Sequence, residues 1–299
     1  MKMLGRLITA LITPFEDSGK VDYENARKLA LALLDSGSDG FVVSGTTGEG
    51  STLNQVEKLQ LFQEIKSAIG NKGTVIAATG NYNTAESVQL SREAEKTGVD
   101  GLLLVVPYYN KPTQDGLYEH FKTIAGATNL PCILYNVPSR TITNLDADTV
   151  IKLSQIDNIV GIKEASANYE QISRIIDGSK KSFLVYSGND SDTFPLMAMG
   201  GYGVISVISH IVGLQLKQLI NLCINGQMNE AAKIHHKLLP LVNAMFVVAN
   251  PMPLKYALNY LGFNVGKPRL PLLEPEGKLK IIIENTLKNY KIDTPIPKN

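Results

Sequence analysis

Eight short apolar runs rich in β-branched residues, amphipathic stretches between them, and a purely helical pattern after about residue 214 predict an α/β fold. The class expected is a (β/α)8 TIM barrel with a C-terminal helical region. The runs are Leu7 to Ile12, Gly40 to Val43, Thr74 to Ala78, Gly101 to Val106, Cys132 to Asn136, Ile159 to Lys163, Phe183 to Ser187 and Gly203 to Ile208. Eight strands at intervals of roughly 20 to 35 residues match such a barrel in number and length.

The segments between them read as helices over Tyr23 to Ser36, Gln55 to Ile69, Thr84 to Thr97, Gln114 to Thr128, Asp146 to Gln155 and Tyr169 to Ile176. Thr84 is the expected N-cap of the third, with Glu86 as an early acid, and Gly98 its stop. From Leu214 onward, helical periodicity continues through Met228 to Leu239, Pro253 to Leu261 and Gly277 to Asn289. No charge-rich or Ser/Gly linker precedes this tail. The expected division is therefore a catalytic barrel over 1–213 and a helical region over 214–299 packed on it.

Composition limits the partners. The chain has 299 residues, 44% of them hydrophobic, with 29 basic against 28 acidic residues and a formal charge of +1. No long run of one sign is present to track a phosphate backbone or a membrane surface, so neither nucleic acid nor membrane is expected as a partner. The segment after Met1-Lys2-Met3 is stopped by Pro14, well short of the ~20 apolar residues of a membrane span. With no signal-peptide cleavage pattern and only Cys132 and Cys223, both in apolar stretches, a cytoplasmic protein with reduced cysteines is expected.

Catalytic groups of such barrels come from the carboxyl ends of the strands, and here those ends are polar. Lys163 follows Ile159-Val160-Gly161-Ile162, so a period of two puts it on one face with Gly161 and Ile159. An inward lysine beside a glycine has room and little water, and burial favours the free amine that attack on a ketone requires. The alternative is a solvated strand-end lysine paired to Glu164. Tyr135 shares a face with Ile133 and ends the neighbouring strand, about 4.8 Å away, where a phenol suits proton shuttling. Taken alone, a tyrosine at a strand end is more often a packing residue. Pro138 stiffens the next turn and puts Arg140 at the rim, placed to grip a carboxylate.

Gly45 to Gly50 has the glycine spacing of a phosphate loop, but Ser51 stands where that motif needs lysine. No glycine at position 53 completes a dinucleotide fingerprint from Gly48 either. Thr46 and Thr47 instead offer N–H groups and hydroxyls to a small carboxylate, or form a simple tight turn. His235 and His236 are adjacent on a helix, and His120 and His210 have no carboxylate or thiol at ligand spacing, so no metal and no cofactor is expected.

Five blocks in order resemble the dihydrodipicolinate synthase family, within the group that includes N-acetylneuraminate lyase and keto-sugar-acid aldolases. They are Gly45-Thr46-Thr47-Gly48-Glu49, Tyr108-Tyr109-Asn110-Lys111-Pro112, Tyr135-Asn136-Val137-Pro138-Ser139-Arg140, Gly161-Ile162-Lys163-Glu164-Ala165 and Gly203-Val204-Ile205-Ser206-Val207. The resemblance implies that Lys163 forms an imine with pyruvate and that Tyr135, Thr46 and Tyr109 relay protons. It implies that Thr47 holds the pyruvate carboxylate, that Gly188 and Ile205 line the pocket, and that Arg140 binds the carboxylate of L-aspartate 4-semialdehyde. Tyr109 would reach a neighbouring subunit, making the protein a homo-oligomer, dimer or tetramer. The expected product cyclises to 4-hydroxy-tetrahydrodipicolinate, in the first committed step towards diaminopimelate and lysine. Competing readings are a sibling sugar-acid aldolase, which would need polyol contacts in place of Arg140, and a catalytically silent metabolite-binding barrel. Lysine-inhibited family members carry a histidine where this chain has Lys58 and an asparagine where it has Tyr82, while Glu86 and Tyr108 remain.

Overall fold

The computed structural model describes residues 4–297. In chain order the elements are β1 (Leu7–Ala10), α1 (Tyr23–Asp35), β2 (Gly40–Val43), α2 (Gln55–Ile69), β3 (Thr74–Ala78), α3 (Thr84–Lys96), β4 (Gly101–Val105) and α4 (Gln114–Ala125). They continue with β5 (Cys132–Asn136), α5 (Pro138–Thr141), α6 (Ala147–Leu153), β6 (Ile159–Glu164), α7 (Tyr169–Gly178), β7 (Leu184–Ser187), α8 (Thr193–Ala198) and β8 (Gly203–Ser206). Four helices follow: α9 (Ser209–Ile224), α10 (Met228–Met245), α11 (Met252–Tyr260) and α12 (Lys278–Leu287). The strands are parallel, and β1 pairs with both β2 and β8, closing the barrel expected from the eight apolar runs.

Strand alternation separates two cores. Val42, Ile76, Leu103, Ile133 and Ile205 fill the barrel interior, while Phe41, Val43, Leu102, Leu104, Leu134 and Ile162 face the helices. One strand breaks the period. Cys132 pairs with Ile159 but Ile133 with Gly161, so β6 holds one extra residue at this point. Ile159 consequently joins the outer core and Val160 packs on the inner one, which corrects the expectation that Ile159 shares the face of Lys163. Gly161 also serves the sheet: a Cβ there would meet Leu184 O at 2.4 Å, so the glycine admits close approach of β7.

The amino end of the barrel is plugged. The Tyr186 hydroxyl donates to Gly5 O at 2.9 Å, and that of Tyr202 to Leu4 O at 2.7 Å. Open space is thus left at the carboxyl ends of the strands.

Helix ends follow local chemistry where the cap is local. Asn54 and Glu57 form a reciprocal capping box on α2. For α3 the cap is Asn83, whose side chain accepts from Ala85 N and Glu86 N, and the expected Thr84 is the first helical residue. Gly98 does close that helix, at φ +80°. The helix α10 runs through Pro240 to Met245. The Tyr290 hydroxyl, inserted opposite Pro240, accepts from Leu241 N at 3.2 Å and donates to Lys237 O at 2.6 Å, replacing the i to i−4 bond there. α5, α8 and a 3₁₀ turn at Asp190–Asp192 are absent from the strand-and-helix pattern of the sequence, because each is shorter than two turns. α9 begins at Ser209 and crosses the 213/214 boundary, with Val212 out of helical geometry.

Candidate active site

The loop after β2 is built for close packing. A Cβ on Gly48 would lie 2.8 Å from Leu11 O, and one on Gly50 1.9 Å from Ser44 O. Gly50 N donates to Gly45 O and Glu49 N to Thr46 O, with Ser44 and Glu49 in the left-handed region. Only this glycine spacing lets the turn fold back on β2. Thr46 lines a cavity of about 570 Å³ together with Tyr135, Arg140, Ala78, Leu103 and Val105, the last three from interior strand positions.

Lys163 is 6% exposed on β6, directly opposite Tyr135 of β5, and its Nζ stands 4.2 Å from the centroid of that ring. The pairing with Glu164 offered as an alternative does not occur. Successive strand residues face opposite sides, and Glu164 turns into the outer layer. Its carboxylate accepts from Asn136 Nδ2, Ser166 N and Gln171 Nε2. Burial pushes that carboxyl above its usual range, and these hydrogen bonds oppose the shift.

The remaining predicted residues fall in several places. Arg140 is exposed in the short helix α5 with Pro138 at its start, and its Nη2 donates to Asn250 O at 3.3 Å. Thr47 is buried, and its hydroxyl accepts from Asn250 Nδ2 at 2.9 Å. Ile205 faces the barrel interior next to Ile8. Gly188 donates its N–H to Glu164 O, and a Cβ there would lie 2.7 Å from the Ala165 Cβ. Lys163, Thr47, Gly188 and Ile205 lie outside the set of residues that wall the cavity, whereas Thr46, Tyr135 and Arg140 belong to it. Tyr109 is 93% exposed and also outside that wall. It sits at φ 73°, with Lys111 at φ 46°, in a turn fixed by Asn110 Nδ2 donating to Tyr82 O.

Several polar groups escaped the sequence reading. Asn250 Oδ1 and Ser44 Oγ are buried on the cavity wall without a hydrogen-bond partner among the described residues. Asp190 is buried after β7, accepting from Ser206 Oγ at 2.5 Å, Val207 N at 3.0 Å and Ile208 N at 3.1 Å. Burial raises its carboxyl, opposed by these donors and by the Lys163 cation. The Asn250-Pro251 dipeptide, a strong break in an otherwise helical tail, was the available signal for Asn250. His120 and His210 are buried, both cysteines are buried and unpaired, and no cluster of three metal-ligating side chains occurs among the described residues. No helix among them is long and apolar enough to cross a membrane.

A closed parallel barrel, plugged at its amino end and carrying a buried lysine against a tyrosine at the other, defines the class: a barrel enzyme with its site at the carboxyl ends of the strands. The profile described as the dihydrodipicolinate synthetase family matches residues 3–290. A 4-hydroxy-tetrahydrodipicolinate synthase of Dehalococcoides mccartyi is 60% identical over 296 residues, covering 99% of this chain and 100% of that protein. Among solved structures, a dihydrodipicolinate synthase of Bacillus anthracis superposes with TM-score 0.95 at 40% identity, covering 97% of this chain and 100% of that one. The synthase of Cyanidioschyzon merolae with lysine bound gives 0.94 at 44% identity, covering 96% and 98%. The chain belongs to the dihydrodipicolinate synthetase family and is an enzyme of that kind, a lyase.

Proposed function

We propose that this chain condenses pyruvate with L-aspartate 4-semialdehyde through a Schiff base on Lys163, giving 4-hydroxy-tetrahydrodipicolinate on the way to diaminopimelate and lysine. The Lys163 amine adds to the pyruvate ketone and water leaves, forming an imine. Loss of a methyl proton gives an enamine whose carbon attacks the aldehyde, and the amino group of the second substrate then closes the ring and releases the lysine. Each step moves a proton, and Tyr135, with Thr46 and a partner subunit's copy of Tyr109, is the relay. Thr47, beside the cavity-lining Thr46, holds the pyruvate carboxylate, and Gly188 and Ile205, like Lys163 itself outside the open cavity's wall, bound the space around the imine. Arg140 binds the semialdehyde carboxylate.

The observation that carries this reading is the Lys163 Nζ against the Tyr135 ring, which lines the cavity whose wall also carries Arg140. A guanidinium at that rim favours a carboxylate-bearing aldehyde over a polyol. The exposed Tyr109, held in a left-handed turn, favours a homo-oligomer, dimer or tetramer, in which it enters a neighbour's site. The two buried, unpaired cysteines suit a cytoplasmic enzyme. A relative binds lysine; here Lys58 makes inhibition by lysine weak or absent.

Borohydride reduction in the presence of pyruvate tests the assignment. A stable mass increase on the peptide containing Lys163 is expected, because reduction turns an imine into a secondary amine. Labelling of a different lysine, or failure of a coupled assay to consume both substrates, would refute it.

A further inference from the structure

The active-site loop is gripped from outside the barrel. Lys255, in α11, places its Nζ 2.7 Å from Glu49 Oε1, with both side chains wholly inaccessible. The other carboxylate oxygen, Oε2, accepts from Arg269 N at 2.9 Å. The Arg269 guanidinium donates to Thr52 O at 2.8 Å, at the far end of the same loop, and forks onto Glu57 in the first turn of α2. Both cations lie over the Phe15 ring, Lys255 Nζ at 3.9 Å and the Arg269 Cζ at 4.4 Å from its centroid. A third grip is Asn250 Nδ2 on the Thr47 hydroxyl.

We infer that Lys255 and Arg269 are positioning residues for the reaction. Through Glu49 they hold the loop that presents Thr46 and Thr47, so that the C-terminal helical region sets the geometry of pyruvate binding. Two cations face two carboxylates, so the cluster is neutral, with the Lys255–Glu49 pair fully buried and the Arg269–Glu57 pair partly so. Burial pulls the Lys255 ammonium down to about 8, and the Glu49 anion opposes that pull. Glu49 itself sits at φ 53°, a conformation that a non-glycine residue keeps only where its surroundings dictate it. A buried ion pair is weak evidence for stability, because apolar residues of similar volume often serve as well. The expectation for this pair is therefore a geometric role, one that shifts of about an ångström would betray in turnover and affinity.

The inference rests on the pyruvate reading above, and the test separates the two. Glu49→Met with Lys255→Met removes both charges while keeping volume, and Glu49→Gln alone keeps length and an acceptor for the Arg269 amide. Melting temperature, steady-state constants and borohydride trapping are measured on each variant and on the native enzyme. The expected result is a folded variant whose KM for pyruvate rises at least ~10-fold, with KM for the semialdehyde changed less than twofold and Lys163 still trapped at saturating pyruvate. A native pyruvate KM in either folded variant overturns the inference. Loss of the fold in both also overturns it, assigning the cluster to global stability. If the native enzyme itself shows no pyruvate imine, the functional reading has failed instead.

Discussion

Lys163 and Tyr135 are direct register partners on β6 and β5, and the lysine nitrogen lies 4.2 Å above the tyrosine ring. The contact is with the ring, which a phenylalanine would retain. Tyr135→Phe therefore removes the hydroxyl alone, and turnover is expected to fall by roughly 10²- to 10⁴-fold with little change in melting temperature. A near-native rate in steady-state assays would take Tyr135 out of the proton relay.

Arg140 is exposed and makes one 3.3 Å bond to a backbone carbonyl, so its truncation leaves the fold intact. Arg140→Ala is expected to raise KM for the semialdehyde roughly 10- to 100-fold, the loss of a charged hydrogen-bonding grip, while KM for pyruvate changes little. Equal effects on the two constants would make Arg140 structural.

Lys58 lines the cavity wall beside Tyr82 and Tyr108, whose rings meet edge to face at 5.1 Å. Burial lowers the Lys58 ammonium from its usual range, with Glu86 opposing, and the Glu86 carboxylate already accepts from Asn81 and Asn83. A cationic ligand about 4 Å from Lys58 would be repelled by about 4 kcal/mol at an effective dielectric near 20, before screening. Initial-rate titration with L-lysine should show little or no inhibition below millimolar concentration, and Lys58→His should increase sensitivity. Half-inhibition of the native enzyme well below millimolar would contradict this.

His210, with the likewise buried His120, contributes to the acid limb of stability, burial taking both imidazoles down to about 4. The His210 Nε2 accepts from Ile12 N at 3.3 Å and its Nδ1 lies 2.8 Å from Val207 O, so the ring is held neutral with the proton on Nδ1. Burial takes its pKa from 6.5 down to about 4. The unfolded chain thus binds the proton first as pH falls, and stability present above about pH 6.5 is lost on the way to pH 4, by about 3 kcal/mol. His210→Gln should reduce the slope of the melting-temperature profile over that window, leaving the part due to His120; an unchanged slope would remove His210 as a cause.

The sequence by itself determined the eight strands, the bounds of α2, and the inward face shared by Ile133 and Tyr135, because apolar periodicity and caps such as Asn54 with Glu57 act within a few residues. The five blocks at the strand ends likewise carried the family. Tertiary structure alone decided what depends on distant partners. The extra residue of β6 that turns Ile159 outward comes from its pairing with β5, and Leu184 fills the space beside Gly161. The Tyr290 hydroxyl lets α10 run past Pro240. The grip of Asn250, Lys255 and Arg269 on the loop of Thr46 and Thr47 joins residues some 200 positions apart. No local pattern encodes such contacts, since they arise only when the closed barrel brings the C-terminal helical region against the carboxyl ends of its strands.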